Sequence, residues 1–183
     1  MYKKIIPIVI VLIIAGGGSW WLMKKNNFHP FAKGYDPALD TIFFNLTFGM
    51  PKQAFLDTCW KLNKTEDFEE GGNALSIQHL IKTGYNLPVY MNFFPEFSER
   101  GLYKIPIVYH FQSWAPWNRQ LFSDSLIIRI AENFEKDYHM ELTKKKTEDG
   151  RPAYYNYSGP RKILLTTQDD QYVKVLMENE RYK

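Results

Sequence analysis

The chain has 183 residues, 45% hydrophobic and 16% aromatic, with 23 Lys and Arg against 20 Asp and Glu, four His and one Cys. The formal charge of +3 disappears once Lys3, Lys4, Lys24 and Lys25 are set aside, leaving 19 basic against 20 acidic groups, so a clustered phosphate-facing surface and a nucleic-acid partner are excluded. The single Cys59 rules out an intramolecular disulfide and, lying far from the apolar N-terminal run, provides no lipobox for a lipid anchor.

Between Lys3-Lys4 and Lys24-Lys25, the stretch from Ile5 to Met23 carries no charge and is long enough to cross the roughly 30 Å hydrocarbon core as a helix. Trp20 and Trp21 stand where amphipathic rings favour the headgroup level, and Pro7 falls in a first turn that loses no hydrogen bond to it. A cleavable signal peptide would leave Trp20-Trp21-Leu22-Met23 exposed on the mature chain, so residues 1–25 are read as an uncleaved single-pass anchor in membrane lipid. Ala15, Gly16 and Ser19 set small residues at helical spacing, a face on which another helix can pack. The flanking lysines balance, and the short N-terminal tail stays cytoplasmic. That places the rest outside the inner (cytoplasmic) membrane, in the periplasm if the source is a Gram-negative bacterium.

Residues 26–40, with two prolines and a glycine, form a tether, and residues 41–183 have the size of one α+β domain. Thr41–Phe48 is β-branched and aromatic and predicts a strand ending at Gly49. Pro51 opens a helix to Asn63 with Phe55, Leu56, Cys59 and Leu62 on one face. Extended runs follow at Ala74–Ile81, Leu87–Phe94 and Leu102–Phe111, where period-two alternation means sheet. A second helical segment lies within Trp114–His139, starting at Trp117 or only at Asp124, with Trp117, Leu121, Ile128, Ala131, Phe134 and Tyr138 along one side. Lys144-Lys145-Lys146 reads as a solvated turn. A closing meander then runs through Ala153–Tyr157, Lys162–Thr167 and Tyr172–Glu178. The expected plan is a leading strand, then a helix plus three strands, twice, with both helices on one face of an antiparallel sheet.

The segment Leu46-Thr47-Phe48-Gly49-Met50-Pro51-Lys52-Gln53-Ala54-Phe55 resembles the strand, Gly-Met-(Ser/Thr), helix opening of small bacterial envelope proteins of the SmpA/OmlA and β-lactamase-inhibitor-protein-like type, with Pro51 in place of the hydroxyl. The tail from Gly159-Pro160-Arg161-Lys162-Ile163 to Val173-Lys174-Val175 is similar to the closing hairpin of uncharacterised membrane-anchored proteins from Bacteroidota. The resemblance implies a structural or accessory subunit of an envelope machine.

No HExxH, CxxC, GxSxG or phosphate-cradling glycine loop occurs, and Cys59 on an apolar stripe reads as a small buried hydrophobe. The expectation is a non-enzymatic interaction subunit of a larger membrane or envelope assembly, without catalytic residue, cofactor or metal. Phe97, Trp114, Trp117 and Tyr155 are its candidate partner-binding aromatics. Two other readings stand beside it. One is a module binding peptide or cell-wall glycan near Trp114 and Trp117; the other is a metal-assisted hydrolase pairing His79 with His110 across neighbouring strands, with Glu96 or Glu99.

Overall fold

Antiparallel pairing organises the domain from end to end. The computed structural model describes residues 36–65, 68–71 and 76–183, so the expected anchor with Ile5, Ala15, Gly16, Ser19, Trp20, Trp21, Lys24 and Lys25, and all but the end of the tether, lies outside the described residues. Among the described residues no helix is long and apolar enough to cross a membrane.

Helix α1 spans Lys52–Asn63 and is followed by β1 (Glu69–Glu70), β2 (Ile77–Ile81), β3 (Val89–Phe93), β4 (Glu96–Ser98) and β5 (Gly101–Phe111). Helix α2 spans Ser123–Tyr138 and is followed by β6 (Thr143–Lys146), β7 (Pro152–Ser158), β8 (Arg161–Thr167) and β9 (Val173–Asn179). The strands form one sheet in the order β1-β2-β3-β5-β9-β8-β7-β6, with β4 paired to β5 off that path. The arrangement is palindromic: each helix precedes a set of strands that begins at a sheet edge and ends at the centre, where β5 and β9 pair antiparallel. The architecture is thus α+β, a nine-stranded antiparallel sheet with two helices packed on it.

The core lies under the helices. Val89, Met91 and Phe93 of β3, Ile105, Ile107, Tyr109 and Phe111 of β5, Ile163 and Leu165 of β8, and Val173, Val175 and Met177 of β9 alternate onto this inner face and are buried. Helix α2 covers it with Leu126, Ile127, Ile130, Ala131 and Phe134, while α1 inserts Phe55 against Phe97, ring centroids 5.4 Å apart. The register slips between Glu96 and Phe97, so β5 skips Tyr103 in its pairing with β4. That bulge lets both Tyr103 and Lys104 reach the Glu96 carboxylate, at 2.9 and 2.8 Å.

The leading strand is corrected. Thr41–Phe48 is a tight turn with only the isolated Thr41–Thr47 bridge, closed by Ile42 N–H to Leu46 O at 3.0 Å and Leu46 N–H to Phe43 O at 2.9 Å. Phe44 and Asn45 take φ of 52° and 62°, which strand geometry forbids; Phe44 holds that conformation between the Phe68 and His79 rings at 4.8 and 4.9 Å. Its apolar residues serve burial rather than pairing, for Ile42, Leu46 and Phe48 are all in the core. Pro51 sits one position before α1 rather than inside it. Each helix leads four strands of the main path, not three, because the charged segments Glu69–Glu70 and Thr143–Lys146 pair as edges. Lys144, Lys145 and Lys146 are therefore strand, not turn. Helix α2 starts at Ser123, whose N–H donates to Asp170 O at 2.9 Å; Trp117 lies off the helix and Ile128 points outward, 43% exposed.

Candidate functional site

Among the described residues the opposite, outer face of the sheet carries no helix. Register places Thr143, Tyr155, Leu164, Leu176 and Pro106 in one row across β6, β7, β8, β9 and β5. Four of the five are apolar or aromatic, and Leu164 at the centre is 37% exposed. Beside the row, Tyr157 is 62% exposed with its ring 5.4 Å from that of Tyr155, and Lys145 Nζ lies 4.8 Å from the Tyr155 ring. The row on the other side holds Lys145, Ala153, Thr166, Lys174 and Val108. Lys104 and Lys162 of this face are paired, with Glu96 and Glu180. The hydrogen bond from Lys104 holds the Glu96 carboxyl below its usual range, and its own ammonium correspondingly above. Lys145 and Lys174 have no carboxylate partner among the described residues, so the face is apolar at its centre and positive at its flank.

The four candidate aromatics do not form one patch. Tyr155 belongs to this outer face, whereas its neighbour Tyr154 turns inward and is buried. Phe97 is half-buried and packs on Phe55 against the core, next to the register shift in β4. Trp117 is 85% exposed, and Trp114 is half-buried against Phe122, centroids 6.1 Å apart. Trp114 borders a cavity of about 470 Å³ with Arg119, Arg151, Asp169 and Asp170. Trp114 Nε1 and Arg151 Nη1 are buried without a hydrogen-bond acceptor among the described residues.

The histidine pair is also corrected. His79 pairs with Met91 and packs on Phe44 and Phe68, while His110 pairs with Tyr90 and lies between Tyr90 and Tyr172, at 5.3 and 5.2 Å. Strand β3 runs between them and they stand on opposite faces, so they share no ligand. Among the described residues no group of three or more His, Cys, Asp or Glu side chains gathers into a metal site.

Cys59 lies on the buried stripe of α1, and burial pushes its thiol up to about 11. At about pH 8 a thiol reagent is therefore expected to label it far more slowly in the native chain than after unfolding in urea, where the ordinary thiol range returns. Equal rates in the two states would contradict its burial.

A second cleft, about 280 Å³, opens on the helix side between the turn at Phe43-Phe44, the loop at Thr83-Gly84-Tyr85, and the last turns of α2 at Asn133 and Asp137. Phe134 and Tyr138 of α2, with Met91 and Tyr109 of the sheet, complete it. Tyr138 donates to Ile42 O at 2.9 Å, tying the turn to the helix, and Tyr85 is hydrogen-bonded to Asn133. Leu164, Leu176 and this cleft had no signal in the sequence. Ile163-Leu164-Leu165 in β8 and Val175-Leu176-Met177 in β9 are apolar without interruption, and the cleft is assembled from five separate segments. No protein-family model, no curated protein and no solved structure matches the chain.

Proposed function

We propose that the chain is a single-pass membrane-anchored, non-enzymatic accessory subunit of a larger membrane or cell-envelope assembly, docked through the outer face of its sheet. The observation that carries the reading is the row Tyr155, Leu164, Leu176 and Pro106, half-buried except for the exposed Leu164, beside Lys145 and Lys174. An apolar centre with aromatic anchors and a charged rim is the anatomy of a protein interface, and the unpaired lysines call for acidic groups on the partner. The hydrophobic run of residues 5–23 and the resemblance to accessory envelope proteins support the same reading from the sequence.

The test is the native size of the full chain after gentle detergent extraction. The unaltered chain is expected to stay in carbonate-washed membranes and to migrate in a complex much larger than itself. Leu164→Glu combined with Lys174→Glu, both exposed positions, is expected to release it as a small species while changing stability by only about 0.5 kcal/mol per site. A monodisperse small monomer from the unaltered chain, or a variant that stays in the complex, would overturn the proposal.

A further inference from the structure

The cleft on the helix side is built from rings and holds one carboxylate. Phe43, Phe44, Tyr85, Tyr109 and Phe134 supply aromatic walls, and Asp137 stands at the rim. No Lys or Arg lines it, and Asp137 has no cationic partner among the described residues. Arg161 is buried with its guanidinium carbon 5.7 Å from the Tyr138 ring centroid. Burial raises the phenols of Tyr85, Tyr109 and Tyr138, and the negative charge of Asp137 adds to each rise, so its field reaches into the cleft. Those phenols stay neutral at physiological pH and keep their rings as neutral, electron-rich surfaces.

We infer that this aromatic cleft binds a small organic cation, of the quaternary or alkylated ammonium class, with Asp137 as its counter-charge. The electron-rich faces of aromatic rings attract a cation and tolerate its methyl groups, and a single carboxylate at the mouth neutralises the charge without demanding a directional hydrogen bond. An anion needs a basic group, and no Lys or Arg lines the cleft. For the same reason a phosphate-bearing choline headgroup is disfavoured relative to the free cation, since nothing basic receives the phosphate. The site lies apart from the outer sheet face and does not depend on the docking reading.

Titration of the full chain, held in a maltoside detergent that carries no choline, compares three probes. They are choline, its uncharged isostere 3,3-dimethyl-1-butanol, and phosphocholine, followed by NMR shifts of aromatic protons at the cleft. Choline is expected to bind about tenfold more tightly than the uncharged alcohol, the difference a desolvated cation–π contact supplies. It is also expected to outbind phosphocholine. Asp137→Asn, at an exposed position, is expected to weaken choline several-fold and leave the alcohol unchanged. Equal affinity for choline and the alcohol, tighter binding of phosphocholine, an Asn variant that keeps full choline affinity, or no saturable shift with choline would each overturn the inference.

Discussion

Replacing Gly101 by alanine is expected to destabilise the domain by about 3 kcal/mol or more, the combined cost of a strained backbone and an unrelieved clash. Gly101 opens β5 at φ +106°, a conformation that a residue with a Cβ adopts only under strain. A methyl there would lie 2.6 Å from the Gly49 carbonyl carbon and 2.9 Å from the Met50 oxygen, and nearer still to the Gly49 oxygen. These are backbone atoms, and they are fixed. Gly49 N–H donates to Leu102 O at 2.8 Å and Leu102 N–H to Met50 O at 2.9 Å, so the approach to α1 is stitched to the start of β5. Gly49 itself, at φ +80°, lies where a Cβ would come within 2.5 Å of the Tyr182 ring. Gly150→Ala provides the control: its φ of +81° is equally left-handed, but nothing lies within 4 Å, so only the conformational cost of about 1 kcal/mol remains. Urea unfolding followed by far-UV circular dichroism measures both. If Gly101→Ala cost no more than Gly150→Ala, the close approach of the two segments would be wrong.

That junction also marks where sequence reading stops. Gly49-Met50-Pro51 announces a helix start by local chemistry, and α1 begins one residue later. Alternation places β5 and the closing meander because each of those strands buries one set of side chains and exposes the other. The strands that escaped, Glu69–Glu70, Glu96–Ser98 and Thr143–Lys146, are short and largely charged or polar. Such edges hold their place by pairing with a neighbour, and their side chains report solvent rather than sheet. Thr41–Phe48 fails in the opposite sense. Its β-branched and aromatic composition is that of a strand, yet two consecutive left-handed residues fold it back, and long-range contacts to Phe68, His79, Phe93 and Tyr138 hold that conformation.

The candidate surfaces follow the same logic. Tyr155 was legible because Tyr154 and Tyr155, adjacent on an extended run, must face opposite ways. Leu164 was not, since Ile163-Leu164-Leu165 offers three apolar residues in succession and only the pairing with Leu176 and Tyr155 says which one faces out. Phe97 and Trp114, chosen as loop aromatics, are half-buried against the Phe55 and Phe122 rings. Composition identifies how many rings a chain holds, while register decides which of them a partner can touch.

Phe93 is where core packing and the ammonium cleft meet, and Phe93→Ala is expected to cost about 3–5 kcal/mol, a large share of the roughly 5–15 kcal/mol of a typical domain. The ring is fully buried on β3 and meets Phe43 and Phe68 edge-on, at 5.1 and 5.4 Å, with Ile77 and Ile107 as its cross-strand neighbours. The cavity left by truncation cannot close by a strand shift, because β3 is paired on both sides. Phe43 is a neighbouring ring carried on a turn and can move into the space, and Phe43 is also a wall of the cleft. The variant should therefore lose stability and choline binding together, whereas Phe93→Leu, which fills most of the space, should lose less of both. Urea unfolding and the choline titration read the two effects on the same protein. A variant that lost stability by this amount and bound choline undiminished would show that Phe43 keeps its place without Phe93, and that turn and sheet are held together by Phe44 and its own partners instead.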